Sequence, residues 1–305
     1  VMQVYGFSAG IGTRLKWPDN YFVLYNGLNW QIYDLKNWIS GYFMFNDGRS
    51  HNLSYTVSLS RNSTDQMIYP RMGSNFSASL QLTPPYSLFR KKDLGNLDAG
   101  GNPVRVSSYK DINYDKWASA DRYKWIEYHK WKVSGELYTK VIGDFVIMTR
   151  AQFGYLGYYN RRWGYSPFEG FRVGGDGMSG YDTYGADVIA LRGYENYSLT
   201  PWDVTPYNSN GYYAGNVYDK FTMEFRYPVI LQPQSTIFVL GFLEGGNCWS
   251  DIKKFNPFQI KRSAGVGVRV FLPMIGLLGI DWGYGFDTPE KKNRSQFHFL
   301  IGQQF

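Results

Sequence analysis

Apolar and polar positions alternate with a period of two along most of this chain. Near the C-terminus Ile280, Trp282, Tyr284 and Phe286 are separated by Asp281, Gly283 and Gly285. One segment earlier Ala264, Val266, Val268 and Val270 are separated by Gly265, Gly267 and Arg269. Leu53 to Leu59, Phe76 to Leu82 and Phe221 to Tyr227 repeat the pattern with Ser, Thr, Gln, Glu and Arg between the apolar residues. A two-residue period places one set of side chains on each face of a strand. The runs match the roughly 9–11 residues that a tilted strand needs to cross a bilayer. Eleven strands are predicted, at 4–15, 22–33, 51–62, 74–83, 125–139, 145–157, 217–228, 235–246, 262–272, 277–287 and 296–305. The pattern is least regular in 235–246, where Phe238, Leu240 and Phe242 share parity with Glu244.

A soluble sandwich would also alternate, so the character of the second face decides. Gly, Ser, Thr, Gln, Glu and Arg cannot fill a sandwich core, but they can line a wet lumen while the aromatic and aliphatic face meets lipid. The predicted fold class is all-β, a transmembrane antiparallel outer-membrane β-barrel. Connections after odd-numbered strands are short, such as 140–144 and 273–276, whereas those after even-numbered strands include 84–124 and 158–216. Bacterial barrels have short periplasmic turns and long external loops, which predicts a periplasmic C-terminus. Segment 34–50, with Trp38 to Phe45, is expected to be loop with surface structure, a further strand being the alternative. Eleven is odd, and a closed sheet that leaves no edge usually has an even strand number in these proteins. The expectation is that residues 1–305 form the C-terminal part of a barrel whose first strands are missing from this sequence.

Composition agrees with that picture. Aromatic residues make up 19% and charged residues 19%, against about 25% charged in ordinary globular domains. No stretch approaches the roughly 20 apolar residues of a spanning helix, and mean hydropathy is −0.38. The net charge of +7 raises nucleic acid as a partner. The basic residues are dispersed among Asp and Glu, in Arg90–Lys92 and Lys110 to Lys132, and read as solvated loop charge near lipid headgroups, so no nucleic acid is expected. Cys248 is the single cysteine and permits no internal disulfide. No basic segment followed by an apolar core opens the chain, so no signal peptide is seen.

Within 158–216 lies Leu191-Arg192-Gly193-Tyr194, preceded by Pro167-Phe168-Glu169-Gly170-Phe171-Arg172-Val173-Gly174-Gly175. By itself such a loop could be a flexible surface tip. Its setting resembles the BamA family of outer-membrane assembly factors, whose sixth external loop carries an Arg-Gly-Tyr/Phe tip folded into the lumen. The tail from Phe297 to Phe305, the run Arg262-Ser263-Ala264-Gly265-Val266-Gly267, and the Pro70-Arg71-Met72-Gly73-Ser74 turn resemble the same family in the same order. Segment 84–124 departs from the pattern as an insertion, and Leu191 stands where Val is common.

The resemblance implies a barrel of about 16 strands, preceded by periplasmic repeat domains absent from this sequence. It implies insertase activity: folding and insertion of β-barrel proteins through a lateral gate at the last strand, without covalent chemistry. It pairs Arg192 with Glu224 and Glu244 on the inner wall, where a planar guanidinium can bridge carboxylates. Glu224 and Glu244 could otherwise be ordinary lumen lining. Phe297, Phe299, Ile301, Gly302 and Phe305 become the gate strand, with Gly302 weakening its pairing, and Pro70 and Gly73 a periplasmic turn. An opened edge would template an incoming strand. The implied partners are unfolded outer-membrane proteins, accessory subunits of an assembly complex and outer-membrane lipids. The main alternative is a passive pore or a secretion barrel of the same superfamily. A barrel-borne enzyme is weaker, since His51, His129 and His298 lie on separate segments; His129 near Glu127 is its best candidate. No catalytic residue, metal site or cofactor is expected.

Overall fold

In a computed structural model, the described residues are 1–36, 48–89, 96–97, 103–104, 124–161, 164–166, 168–178, 185–205, 208–232, 235–274, 276–288 and 293–302. Trp38 to Phe45, most of the 84–124 insertion, Pro167 and Phe305 therefore lie outside them.

The alternating segments form strands that pair with their neighbours in sequence. The elements are β1 (Met2–Arg14), β2 (Phe22–Leu35), β3 (Gly48–Asn62), β4 (Gly73–Leu82), β5 (Asn96–Leu97), β6 (Pro103–Val104), β7 (His129–Ile142), β8 (Phe145–Gly157) and β9 (Gly170–Val173). They continue with β10 (Ala186–Ile189), β11 (Trp202–Thr205), β12 (Asn208–Tyr213), β13 (Val217–Gln232), β14 (Ser235–Trp249), β15 (Lys261–Leu272), β16 (Gly276–Gly285) and β17 (Ser295–Ile301). Eleven of them make one antiparallel sheet in the order β1-β2-β3-β4-β7-β8-β13-β14-β15-β16-β17. The order is open, with β1 and β17 at its two ends. These are the eleven predicted strands, and the long segments between β4 and β7 and between β8 and β13 leave the sheet and return to it.

The predicted fifth strand is displaced. It was expected over 125–139, but β7 starts at His129. Trp125 instead bridges His51 in parallel, and Ile126 and Tyr128 are fully buried. Three consecutive residues from Ile126 to Tyr128 are buried, so this stretch has no lipid-facing parity and packs inside the sheet. Of the loop expected over 34–50, Asp34 and Leu35 belong to β2 and residues 48–50 to β3, while 37–47 lie outside the described residues.

Facing is as alternation requires. On β13, Phe221 and Met223 are exposed while Lys220, Thr222 and Glu224 are buried; on β16, Ile280 and Trp282 face outward and Asp281 inward. In an outer-membrane barrel the exposed face is the lipid face.

The expectation of a small or polar inner face needs correction on β14. Phe238, Leu240 and Phe242 are buried on the same side as Glu244 and pack with Tyr69, Tyr138, Val146 and Met148. These rings are covered by the turn 63–72 rather than by lipid. A second inner cluster gathers Tyr33 and Leu35 of the wall and Ile126 and Tyr128 of the segment before β7 with Phe168, Phe171, Val173, Leu191 and Tyr194 of the long loop. Contacts from that loop reach β2 through Tyr33–Phe168 ring stacking (4.4 Å) and β17 through His298. The sheet therefore wraps around its own loop.

Candidate functional site

The loop tip begins at Leu191, which is fully buried and whose N–H donates to Gly175 O at 3.1 Å. Its side chain sits in the upper apolar cluster and sets the depth of the next residue. Arg192 then turns into the lumen, with only 7% of its surface exposed. Its Nη2 donates to Glu224 Oε1 at 2.7 Å and to Glu244 Oε1 at 2.8 Å, and its backbone N–H donates to Glu244 Oε2 at 2.8 Å. Nη1 reaches Asp281 Oδ2 at 3.2 Å. The guanidinium also lies 3.7 Å from the centre of the Phe242 ring, a cation–π distance. Burial opposes the Arg192 charge, but Glu244, Glu224 and Asp281 more than offset this, and its pKa is raised.

Gly193 can approach the wall because the wall is glycine there. A Cβ on Gly283 would lie 2.6 Å from Gly193 N, and one on Gly285 would lie 2.5 Å from Gly193 O. Gly193 itself has φ +85°, a conformation that favours glycine. Its N–H donates to His298 Nε2 on β17 at 2.8 Å. Tyr194 is buried and donates its hydroxyl to Arg262 O at 2.7 Å. The four-residue tip thus touches β13, β14, β15, β16 and β17 together.

The structure brings Arg192, Glu224 and Glu244 together, and adds residues that sequence reasoning missed. Asp281 was placed on the inner face by alternation but not assigned to Arg192. Lys220 pairs with Glu244 at 3.1 Å, Arg226 with Glu224 at 2.6 Å, and Arg269 with Asp281 at 2.6 Å. A second anchor holds the loop higher up. Buried Lys130 of β7 pairs with Glu169 at 2.8 Å and with Asp187 at 3.1 Å. Glu169 lies in the quoted run before the tip, and nothing in its spacing pointed to Lys130.

The other predicted positions lie apart from the tip. Pro70 is buried in the turn 63–72, while Gly73 opens β4 with φ +108°, where a Cβ would meet Ser63 O at 2.3 Å. Phe297, Phe299 and Ile301 of β17 face outward and are more than half exposed. Gly302 was expected inside the last strand. It instead follows Ile301 with φ +93°, and its N–H donates to Leu277 O at 2.9 Å. His129 and Glu127 bond to different partners: His129 Nδ1 accepts from Trp131, and the Glu127 carboxylate accepts from Ser87. Among the described residues no group of three or more His, Cys, Asp or Glu could hold a metal ion.

The Omp85 superfamily domain matches residues 2–305, all but the first residue. The chain belongs to the Omp85 superfamily. It is therefore an outer-membrane β-barrel protein. Among solved structures, this Omp85 chain is similar to BamA from Haemophilus ducreyi lacking POTRA domains 1–3, with a TM-score of 0.63 and 16% identity. That likeness covers 98% of this chain and 53% of the BamA chain, so the chain spans about half the length of that relative. CdiB from Escherichia coli matches with a TM-score of 0.48 and 12% identity, over 98% of this chain and 44% of the other. No curated protein sequence matches the chain.

Proposed function

We propose that this Omp85 barrel is the membrane part of an outer-membrane protein insertase, with β17 as one side of a lateral gate and the Arg192 tip as the element that positions it. The observation that carries this reading is the hold on β17. Among the described residues seven of β17 pair with β16, from Ser295 to Ile301, and Gly302 follows in a left-handed conformation. By contrast, β13 and β14 share fifteen partnered positions. A strand held by few ladder bonds opens at lower cost than its neighbours, since local opening follows local bonding and packing. Once open, its N–H and C=O groups can pair with an incoming strand, which spares that strand unpaired backbone in hydrocarbon.

In this reading the clients are unfolded outer-membrane proteins, assisted by accessory subunits and by domains preceding the barrel on the periplasmic side. The short turns and the chain end then face the periplasm. Phe297, Phe299 and Ile301 form the lipid-facing side of the gate strand.

The test is reconstitution of the full-length protein in phospholipid vesicles, followed by gel-shift measurement of folding of a urea-unfolded outer-membrane barrel. A several-fold acceleration over empty vesicles is expected. No acceleration, combined with normal outer-membrane protein levels after depletion in cells, would overturn the insertase reading in favour of a secretion barrel.

A further inference from the structure

We propose that His298 is the positioning residue that ties the last strand to the loop tip, through a bond that only a neutral imidazole can make. This rests on the gate reading of β17 for its purpose, though not for its geometry.

On β17 the inward positions are Gln296, His298 and Leu300, alternating with outward Phe297 and Phe299. Gln296 bonds locally, its Nε2 donating to Asn293 O. Leu300 has no polar atom in its side chain. His298 alone of these three reaches the loop, where its Nε2 accepts the Gly193 N–H at 2.8 Å and the residue is 7% exposed. The preceding turn makes one further tie, from Asn293 Nδ2 to Glu195 Oε1 at 2.6 Å, but both groups are exposed. A buried bond to a backbone N–H matters more, because losing the acceptor strands a buried donor.

The acceptor must be an unprotonated nitrogen. In an imidazolium both ring nitrogens are donors, so protonation would set N–H against N–H at the tip. The groups facing the ring bias where a protonated His298 would go. Arg192 from the loop repels it, and Arg269 of β15 lines the same cavity. Asp281, its register partner on β16, Glu244 on β14 and Asp176 on the loop attract it. A charged ring therefore leaves Gly193 and turns toward carboxylates, releasing β17 from the tip. Histidine is the side chain whose ordinary pKa, about 6.5, lets it gain a proton in mild acid. Acidification is thus expected to loosen the last strand, and neutral or higher pH to hold it.

The experiment is hydrogen–deuterium exchange of the full-length protein in lipid nanodiscs at pH 5 and pH 8, corrected for intrinsic exchange rates. Peptides covering 295–301 are compared with peptides covering 217–232 as an internal reference. The wild type should exchange in 295–301 at least about tenfold faster at pH 5 than at pH 8, with the reference peptide unchanged. His298→Gln keeps an acceptor oxygen without a titration in this range, and should stay protected at both values. His298→Phe removes the acceptor and should exchange fast at both. If His298→Gln kept the wild-type pH dependence, the titrating group would be one of the surrounding carboxylates and the proposal would fail. Wild-type protection in His298→Phe would also overturn it. Because exchange is read without any client, this result is separate from that of the vesicle folding assay.

Discussion

Arg192 is a fourth cation added to three acid–base pairs that are complete without it. Glu244 has Lys220, Glu224 has Arg226 and Asp281 has Arg269, each within 3.1 Å. The wall is a preformed cradle, so withdrawing the tip leaves no carboxylate without a cation. Removing a wall acid is different. Glu244→Ala would leave Lys220 and Arg192 buried side by side, and losing one partner of a buried pair costs about 3–5 kcal/mol. Glu244→Ala should therefore lower thermal stability more than Arg192→Ala, as read by heat-modifiability gels in detergent. Arg192→Ala should instead raise proteolytic cleavage within 158–216. Gly283→Val tests the same contact by sterics alone, since a Cβ there would lie 2.6 Å from Gly193 N. It should displace the tip, and loop proteolysis should rise as in Arg192→Ala although every ion-pairing residue remains.

At the scale of elements, the turn between β3 and β4 works as a floor for the lumen. Asp65 Oδ1 accepts the Arg71 and Met72 N–H groups, and Arg61 Nη1 donates to Ser63 and Ser74 Oγ, which folds the turn on itself. Tyr69 then points inward, 1% exposed, with its ring edge-on to Phe238 at 5.1 Å. Its hydroxyl lies 2.9 Å from Asp144 O and 3.1 Å from Arg226 O, shared between the β7–β8 turn and β13. Tyr69→Phe should cost about 0.5–1.5 kcal/mol, one net hydrogen bond, and Tyr69→Ala about 3–5 kcal/mol through the cavity it leaves. Thermal unfolding of the two variants in detergent checks the order. The resemblance picked out Pro70 and Gly73 here, but Tyr69 was not legible. Its importance comes from a partner 157 residues away on β13, and no local pattern carries that separation.

For the whole molecule, two segments outside the main sheet, the long loop and the turn 63–72, pack against its inner face. The Arg192 tip and the turn 63–72 both line one cavity of about 310 Å³. Such a barrel should conduct poorly in planar bilayers. The full-length protein is expected to show small or rare openings, and deletion of the loop tip to raise the open conductance several-fold. A large steady conductance in the intact protein would contradict a filled lumen.

The sequence by itself determined the strands and their lipid face, because a period of two is a local property and hydrocarbon excludes polar side chains. It also placed Glu224 and Asp281 inside by parity, and Arg192 in a long loop. Only the tertiary structure decided which inner residues meet. Strand register sets Glu224 diagonal to Glu244 on adjacent strands and Asp281 two strands further on, all within reach of Arg192. The path of the loop carries Arg192 among them and Glu169 to Lys130. The aromatic inner face of β14 was decided the same way: Phe238, Leu240 and Phe242 can face inward because a turn and a loop cover them. Register and loop path are set by contacts between residues far apart in sequence, and alternation along one strand contains no information about them.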